Sequence, residues 1–376
     1  MILNSSALST KRHYLALDGL RGVAAFLVVI FHLFEAYPHG GVFGQKLNHG
    51  YLAVDFFFLL SGFVVAYAYD DRWERMSVWG FFRRRLVRLQ PMVVMGQAIG
   101  AAFFYFQAGP EFPLIAHTPV WRLLATMLIG MTLIPVSPSM DIRGWQEMHP
   151  LDGPAWSLFF EYAANILYAI GFRKLNLKWL SLFTGLSAAA LAHLLLRGSS
   201  GDVIGGWSLT QHSLHVGFAR VLFPFLMGML LMRLGLRLRV RGSFFLSAAL
   251  LATVLCWPRV GNAQTLWANG IYEAIAIIVV FPLILLIGAG EEPAPGFTSK
   301  LCRFLGDISY PLYITHYALI YTYWAWVRTH PVPGPQAFVA AIGVFLSAVA
   351  IAYGCLKLYD EPVRAWLGRR LVSAKA

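Results

Sequence analysis

Ten runs of apolar residues, each about 20 residues long, follow one another along this chain of 376 residues. A helix of about 20 residues rises roughly 30 Å, which is the thickness of the hydrocarbon core of a bilayer. Inside lipid, only helices and closed barrels satisfy all of their backbone hydrogen bonds internally. The runs therefore predict an all-α, polytopic transmembrane helical bundle, with spans at 15–38, 52–70, 88–108, 155–172, 179–196, 213–233, 243–260, 271–288, 309–328 and 338–357.

An eleventh apolar run, residues 119–136, has to be placed by the charges of the loops. If this run does not cross, 22 Lys and Arg residues lie on the cytoplasmic side and 6 lie outside; if it crosses, the numbers become 12 and 15. The positive-inside rule favours the first arrangement. We therefore predict about ten spans in a single domain over 1–376, with both termini cytoplasmic. Residues 109–154 then form an outer excursion in which 119–136 lies along the membrane or re-enters it.

Composition excludes several other classes of protein. Only 13% of the residues are charged, about half of what a soluble domain carries. The net charge of +12 resides in short loops, where it orients the chain and attracts anionic lipid, so we expect membrane lipid and no nucleic acid as a partner. Cys256, Cys302 and Cys355 have neither metal-ligand spacing nor the pattern of a disulfide framework, and we expect no metal.

The first span carries four ionisable residues: Asp18, Arg21, His32 and Glu35. Such groups are costly in a bilayer, and they usually face a polar cavity. Arg21 and His32 are 11 residues apart, close to three full helical turns, so their side chains point the same way about 16 Å apart. One face of this helix thus offers a cation at one depth and a proton-transfer group at another.

Helical rise also gives a depth for the other polar residues within spans. The estimate predicts two clusters, joined by a tunnel through the domain. The outer cluster contains His32, Glu161, Arg220 and Asp55, and the inner cluster contains Arg21, Arg85, Arg88 and His316.

The residue types of the two clusters indicate different chemistry. Arg85 and Arg88 are one turn apart, and guanidinium groups bind phosphate through paired hydrogen bonds. A basic run that only fixes topology is the alternative for this segment. His32 titrates near neutrality and suits a general base, although a helix–helix hydrogen bond explains it too. Glu161 is either part of that site or a buried partner of Arg220.

Four stretches of the sequence carry motifs that occur together in one family of membrane proteins. They are LDGLRGVAAFLVVIFH with Arg21-x10-His32, VDFFFLLSGFV with Asp55, Ser61 and Gly62, FFRRRLVRLQP with Arg85-x2-Arg88, and AWSLFFE with Trp156, Ser157 and Glu161. A weaker likeness lies in LGDISYPLYITH, which ends at His316, and in DEPVR near the C-terminus. Together these stretches resemble integral-membrane acyltransferase family 3, which contains O-acyltransferases of bacterial surface polysaccharides and their animal relatives.

This resemblance implies transfer of an acyl group, typically acetyl, from cytoplasmic acyl-CoA to a hydroxyl handled at the outer face. The acceptor would be a surface or exported carbohydrate or a lipid-linked glycan, and the location would be the cytoplasmic membrane of a bacterium. We expect His32, Glu161 and Asp55 to be catalytic. Acyl-CoA is then held by Arg21, Arg85, Arg88 and His316, and the acceptor by Trp156, Arg220 and Ser61.

In this hypothesis His32 is the base, and Glu35, Asp55 or Glu161 orients it. Arg220 is a candidate for stabilising the oxyanion. A covalent acyl group on His32 or Ser61 is left open. The outer excursion, with Trp145, His149, Asp152 and Trp156, is the expected platform for the acceptor.

Two rival functions fit the same composition. A proton-coupled transporter of an anionic metabolite also uses a buried arginine and a titratable histidine. A non-catalytic partner in lipid or polysaccharide export needs neither group for chemistry. The sequence leaves the acceptor, the acyl chain and a homo-oligomeric state open.

Overall fold

The computed structural model describes residues 13–36, 41–330 and 333–372. The basic residues Lys11, Arg12 and Lys375 lie outside this part of the chain, as do the last two residues of the first predicted span, 37–38. The described residues form helices and loops with no β-strand, and the predicted polytopic helical bundle is confirmed.

Fifteen α-helices are found in the described residues, and short 3-10 and π-helical turns extend several of them. The π-helical segments Ala276–Val280 and Leu356–Asp360 each join two of these α-helices. The helices are α1 Leu15–Ala36, α2 Gly41–Gly44, α3 Ala53–Tyr69, α4 Val78–Phe103, α5 Val120–Gly130, α6 Ala155–Ile170, α7 Leu177–Arg197, α8 Gln211–Leu234, α9 Ser243–Cys256, α10 Leu266–Ile275, α11 Phe281–Gly288, α12 Phe297–Thr315, α13 Tyr317–Thr329, α14 Gly334–Cys355 and α15 Glu361–Leu367.

Seven helical segments of the described chain are long and apolar enough to cross a membrane. They contain α1, α3, α4, α7, α8, the joined α10 and α11, and the long C-terminal helix from α14 onward. The other three predicted spans correspond to α6 with 16 residues, to α9 with 14 residues, and to the junction of α12 with α13. The crossing of these three remains a prediction.

Helix α5 has 11 residues, and at about 1.5 Å per residue it covers roughly half of a bilayer core. This length agrees with an apolar run that does not cross by itself. Most residues of 141–154, the last part of the outer excursion, are buried, and the side chain of Arg143 is fully buried among them. Its guanidinium lies 3.6 Å from the ring centroid of Tyr321 and donates to the carbonyl of Pro150 and to Oε1 of Gln107.

Two helix pairs form the centre of the bundle, α1 with α12 and α3 with α8. Both pairs approach closely because glycine lies at the contact, as in many membrane helix pairs. A Cβ added at Gly22 of α1 would be 2.3 Å from the carbonyl oxygen of Leu305, and one at Gly62 of α3 would be 2.0 Å from that of Phe225. Gly62 therefore allows α3 to pack closely on α8. The adjacent Ser61 lines the cavity in which Glu161 lies.

Candidate active site

A cavity of about 360 Å³ lies among α1, α3, α4, α6, α12 and α15. We call it the arginine cavity, because five arginines from four helices line it. Four carboxylates line it as well, and the way in which the charges pair decides what the cavity can bind. The arginines are Arg21, Arg85, Arg88, Arg303 and Arg364, and the carboxylates are Asp18, Glu161, Asp307 and Glu361.

Arg21 is held at the cavity wall by the packing of α1 on α12. Its Nε donates to Oγ of Ser309 at 2.9 Å, and one terminal nitrogen donates to the carbonyl of Gly306 at 3.2 Å. The same nitrogen is 3.3 Å from the carboxylate of Asp18, one turn earlier on α1. Arg21 is thus positioned by the protein and is only half-buried, so its outer edge faces the cavity.

Arg85 differs from Arg21 because a carboxylate already neutralises it. One of its terminal nitrogens donates to Oε1 of Glu161 at 2.5 Å, and the hydroxyl of Ser61 donates to the same oxygen at 3.0 Å. The expected contact of Glu161 with His32 was wrong: Glu161 belongs to the arginine cavity. The depth estimate failed here because it ignored the direction in which each side chain points.

Arg88 and Arg303 are exposed to the cavity, and neither makes an ion pair within the described chain. Arg364, by contrast, is held at 2.8 Å by Asp360. The guanidiniums of Arg21, Arg85 and Arg364 are close enough to Arg88 to repel its positive charge. Two unpaired cations beside three others make this end of the cavity an anion site, since guanidiniums bind phosphate with two parallel hydrogen bonds.

His32 lies beyond the cavity, near the end of α1, and pairs with Glu35 one turn later. Its Nδ1 is 2.8 Å from Oε2 of Glu35. A carboxylate only accepts, so Nδ1 donates to Glu35, and in the neutral ring Nε2 then carries the lone pair that a substrate can use. Glu35, one of the three carboxylates predicted to orient His32, is the one in contact. The His32 side chain is 17% exposed.

His316 lies with His32 and not with the arginines, so its predicted place in the inner cluster was wrong. The two rings are stacked, with centroids 5.7 Å apart and planes 28° apart. Tyr317 packs edge-on against both, at 4.8 Å from His32 and 5.6 Å from His316. The chain bends at His316, between α12 and α13, and the ring is fully buried there.

The lining of the arginine cavity includes Phe57, Ser157 and Tyr313 but neither His32 nor His316. The Tyr313 hydroxyl is 2.9 Å from Oγ of Ser157, and its ring centroid is 6.1 Å from that of His316. The cavity therefore reaches Tyr313, whose ring lies next to His316, and the predicted tunnel to His32 is not found in the described chain.

Asp55 and Arg220 form a closed ion pair between α3 and α8. All five N–H groups of Arg220 are used: two reach the Asp55 carboxylate, at 3.2 and 2.7 Å, and the others reach backbone carbonyls. The predicted meeting of this pair with His32 is not found, and no N–H of Arg220 is free for an oxyanion. Trp156 packs against Arg220 at 5.1 Å and is buried, so neither lines the cavity.

The expected acceptor platform is largely inside the protein. His149 and Asp152 are both buried, and none of their side-chain polar atoms has a hydrogen-bond partner. Burial lowers the pKa of His149 to about 3 and raises that of Asp152 well above its usual value. Burial also raises the pKa of Glu147 to about 7, although Arg143 opposes the shift. These side chains shape the interior and offer no open surface to a sugar.

Sequence reasoning missed four residues of the site: Arg303, Arg364, Tyr313 and Tyr317. The two arginines were counted only as loop charges, although DEPVR, which contains Arg364, carried part of the family likeness. Tyr313 lies one turn before His316 in SYPLYITHY, and this i, i+3 spacing is the signal that would have found it. Tyr317 follows His316 directly, at the start of α13, and helical spacing does not place it against that ring.

Comparison with known proteins identifies the family of the chain. A family model described as an acyltransferase domain, that of acyltransferase family 3, matches residues 14–357. The chain therefore belongs to this family, and it is a multi-pass membrane protein of the acyltransferase class. No solved structure matches the chain significantly.

Three relatives show how far the likeness extends. The acyltransferase MdmB of Streptomyces mycarofaciens is 27% identical over 96% of this chain and 94% of its own length. Protein 2 in the picA locus of Rhizobium radiobacter is 34% identical over 49% of this chain and 95% of its own. SACOL0978 of Staphylococcus aureus strain COL, an O-acetyltransferase by name, is 24% identical over 82% of this chain. The match covers only about half of that protein, 51% of its length.

Proposed function

We propose that this protein is a membrane O-acyltransferase that moves an acyl group, typically acetyl, from cytoplasmic acyl-CoA to a hydroxyl of a surface or exported carbohydrate. The observation that carries the proposal is on one helix. On α1, Arg21 lines the arginine cavity, and the His32–Glu35 pair lies about 16 Å further along. CoA is an anionic nucleotide on a long flexible arm, and this spacing suits an anchored nucleotide whose thioester reaches toward the histidines.

In this proposal the phosphates bind at the unpaired Arg88 and Arg303, with Arg21 and Arg364 beside them. Arg85 is engaged by Glu161 and Ser61, so it shapes the cavity wall and is not the first phosphate ligand. Acyl-CoA binding on this side also agrees with the predicted cytoplasmic position of the basic loops.

His32 acts as general base on the acceptor hydroxyl. The hydroxyl proton moves to Nε2 while Glu35 holds Nδ1–H, and the carboxylate stabilises the imidazolium that forms. The alkoxide attacks the acyl carbonyl carbon. Over the whole reaction the C–S bond of the thioester breaks, an ester C–O bond forms, and the CoA thiolate recovers the proton.

The test uses the purified full chain with acyl-labelled acetyl-CoA and glycans from the host cell envelope. We expect label in the glycan, and we expect His32→Asn to lower the rate by about 10²–10⁴ with CoA binding retained. His193→Asn, which changes an exposed histidine on α7, is the matched control. If vesicles instead accumulate the labelled anion without breaking the thioester, the transporter is correct and the proposal fails. Full activity of His32→Asn contradicts the role of His32.

A further inference from the structure

His316 has a fixed orientation and one unused nitrogen. Its Nδ1 is 3.0 Å from the carbonyl of Leu312 and 2.9 Å from that of Tyr313. Carbonyl oxygens only accept hydrogen bonds, so Nδ1 carries a proton. In the described chain no carboxylate lies within ion-pair distance of the ring. The ring is therefore neutral, with its lone pair on Nε2.

This lone pair has no partner in the described structure. Nε2 is fully buried and accepts no hydrogen bond. Leaving a buried polar atom unpaired costs about 1–3 kcal/mol, and such atoms in a folded protein call for an explanation. Nothing in the packing of α12 or α13 needs a nitrogen at this position, so a structural role accounts for Nδ1 only.

The position of His316 supplies the explanation. On one side its ring is next to Tyr313, which lines the arginine cavity. On the other side it stacks on His32, whose ring is partly exposed and is held by Glu35. His316 thus stands between the place where an anchored thioester would arrive and the base that would activate the acceptor.

We propose that Nε2 of His316 is the nucleophile that carries the acyl group between CoA and the acceptor. This inference rests on the acyl-CoA-dependent transfer proposed above. Nε2 attacks the thioester carbonyl carbon, the C–S bond breaks, and CoA leaves as the thiolate. The product is an N-acylimidazolium: the acyl group is bonded to Nε2, the Nδ1–H stays hydrogen-bonded to the two carbonyls, and the positive charge of the ring is balanced by the negative charge of the CoA thiolate.

In the second half of the reaction the acceptor hydroxyl gives its proton to Nε2 of His32. The alkoxide attacks the acyl carbon on His316, the C–N bond breaks, and the lone pair returns to Nε2, which leaves His316 neutral. His32 then gives up the proton, which the CoA thiolate takes up. The buried ring keeps water away from the reactive acyl-imidazole, whereas an acyl group on the partly exposed His32 would be hydrolysed more easily. Two adjacent histidines in different hydrogen-bond environments thereby receive separate roles.

The decisive experiment needs no acceptor. Purified protein is incubated with acetyl-CoA and isotopically labelled free CoA, and formation of labelled acetyl-CoA is followed. We expect exchange in the wild type, because the first half-reaction is reversible. His316→Asn keeps an amide donor for the backbone carbonyls but lacks Nε2, so exchange should fall at least 100-fold. His32→Asn should keep exchange and lose transfer to glycan.

A second measurement covers the case in which His316→Asn does not fold. Rapid acid quenching of the wild type with labelled acetyl-CoA, followed by peptide mass analysis, should find the acetyl group on the peptide that contains His316. Glycan acetylation without exchange and without this adduct overturns the inference and leaves the proposed function standing. Exchange that persists in folded His316→Asn overturns the inference too. Absence of all thioester cleavage, with host glycans present, overturns the proposed function itself.

Discussion

The α3–α8 interface and the arginine cavity both place arginines within the bundle, and they treat them in opposite ways. Arg220 between α3 and α8 uses all five N–H groups on protein acceptors and is fully buried. Arg88 and Arg303 in the cavity are exposed and have no ion-pair partner in the described chain. The same residue type thus marks a structural pair in one region and a binding surface in the other.

The two histidine environments repeat this contrast on a smaller scale. His32 has a carboxylate on one nitrogen and partial exposure, which suits proton transfer. His316 has only backbone carbonyls on one nitrogen and a buried, unused lone pair on the other. Residue type and depth in the membrane do not distinguish a structural arginine or histidine from a functional one. The number of its side-chain N–H groups and lone pairs that already have a protein partner does distinguish them.

The largest expected effect comes from breaking the closed pair. Arg220→Met leaves the Asp55 carboxylate buried and uncompensated, which typically costs about 3–5 kcal/mol. We expect a much lower Tm for the detergent-solubilised protein and a clear recovery when Asp55→Leu is added. Arg88→Met is the matched control and should leave Tm nearly unchanged. Equal losses of Tm in the two single variants would remove the distinction between the regions.

Two carboxylates that the sequence could not distinguish should give opposite phenotypes. Glu35→Gln weakens the support of His32 and is expected to lower transfer by up to about 100-fold without changing Tm. Asp55→Asn disturbs the buried pair and is expected to lower Tm. Initial rates and Tm measured on the same preparations check both statements. If Asp55→Asn lost transfer activity while its Tm stayed unchanged, Asp55 would have a catalytic role, as the sequence predicted.

The unpaired cavity arginines should contribute to ligand binding. Each charge-assisted contact to a phosphate is worth roughly 1.5–3 kcal/mol, so Arg88→Gln with Arg303→Gln should raise the Kd for acetyl-CoA at least tenfold. Titration calorimetry in detergent measures this change. Arg122→Gln in the outer excursion is the control. An unchanged Kd in the double variant would show that these cations serve only topology.

The smallest expected effect concerns His149, which is buried like Arg220 but is unpaired. Its folded pKa of about 3 lies below the ordinary 6.5, so the folded state binds fewer protons in this window. Its stabilising contribution is complete above pH 6.5 and falls by about 1.4 kcal/mol per pH unit as the pH drops toward 3.

The test compares variants, because Glu147 acts with the opposite sign. Its pKa is raised to about 7, so its contribution is lost as the pH rises from 4.5 through 7. His149→Leu removes the pH-dependent contribution of His149 to stability and leaves that of Glu147 in place. Between pH 7.5 and 5.5 it should therefore lose less Tm than the wild type, whereas His193→Leu should behave as the wild type. Parallel curves for His149→Leu and the wild type would contradict the assignment.

Sequence alone determined the class of fold, because runs of 20 apolar residues leave lipid-embedded backbone few other solutions. It also determined that Arg21 and His32 share a face of α1, since helical periodicity is a local property. It placed α5 in a non-crossing excursion through loop charge, and the short helix agrees with that placement.

Only the tertiary structure decided which polar groups meet. Depth along a helix axis placed Glu161 with His32 and His316 with the arginines, and both placements failed because partners depend on how helices rotate and cross. The pairing of Arg220 with Asp55 follows from the close approach of α3 and α8 that Gly62 permits, and the pairing of Arg85 with Glu161 follows from the packing of α4 beside α6. The His32–Glu35 pair, by contrast, is one turn apart on α1 and is local. A contact between residues that are distant in sequence leaves no periodic pattern in the sequence. Such contacts decide which arginines are neutralised by a carboxylate and which remain available to bind a ligand.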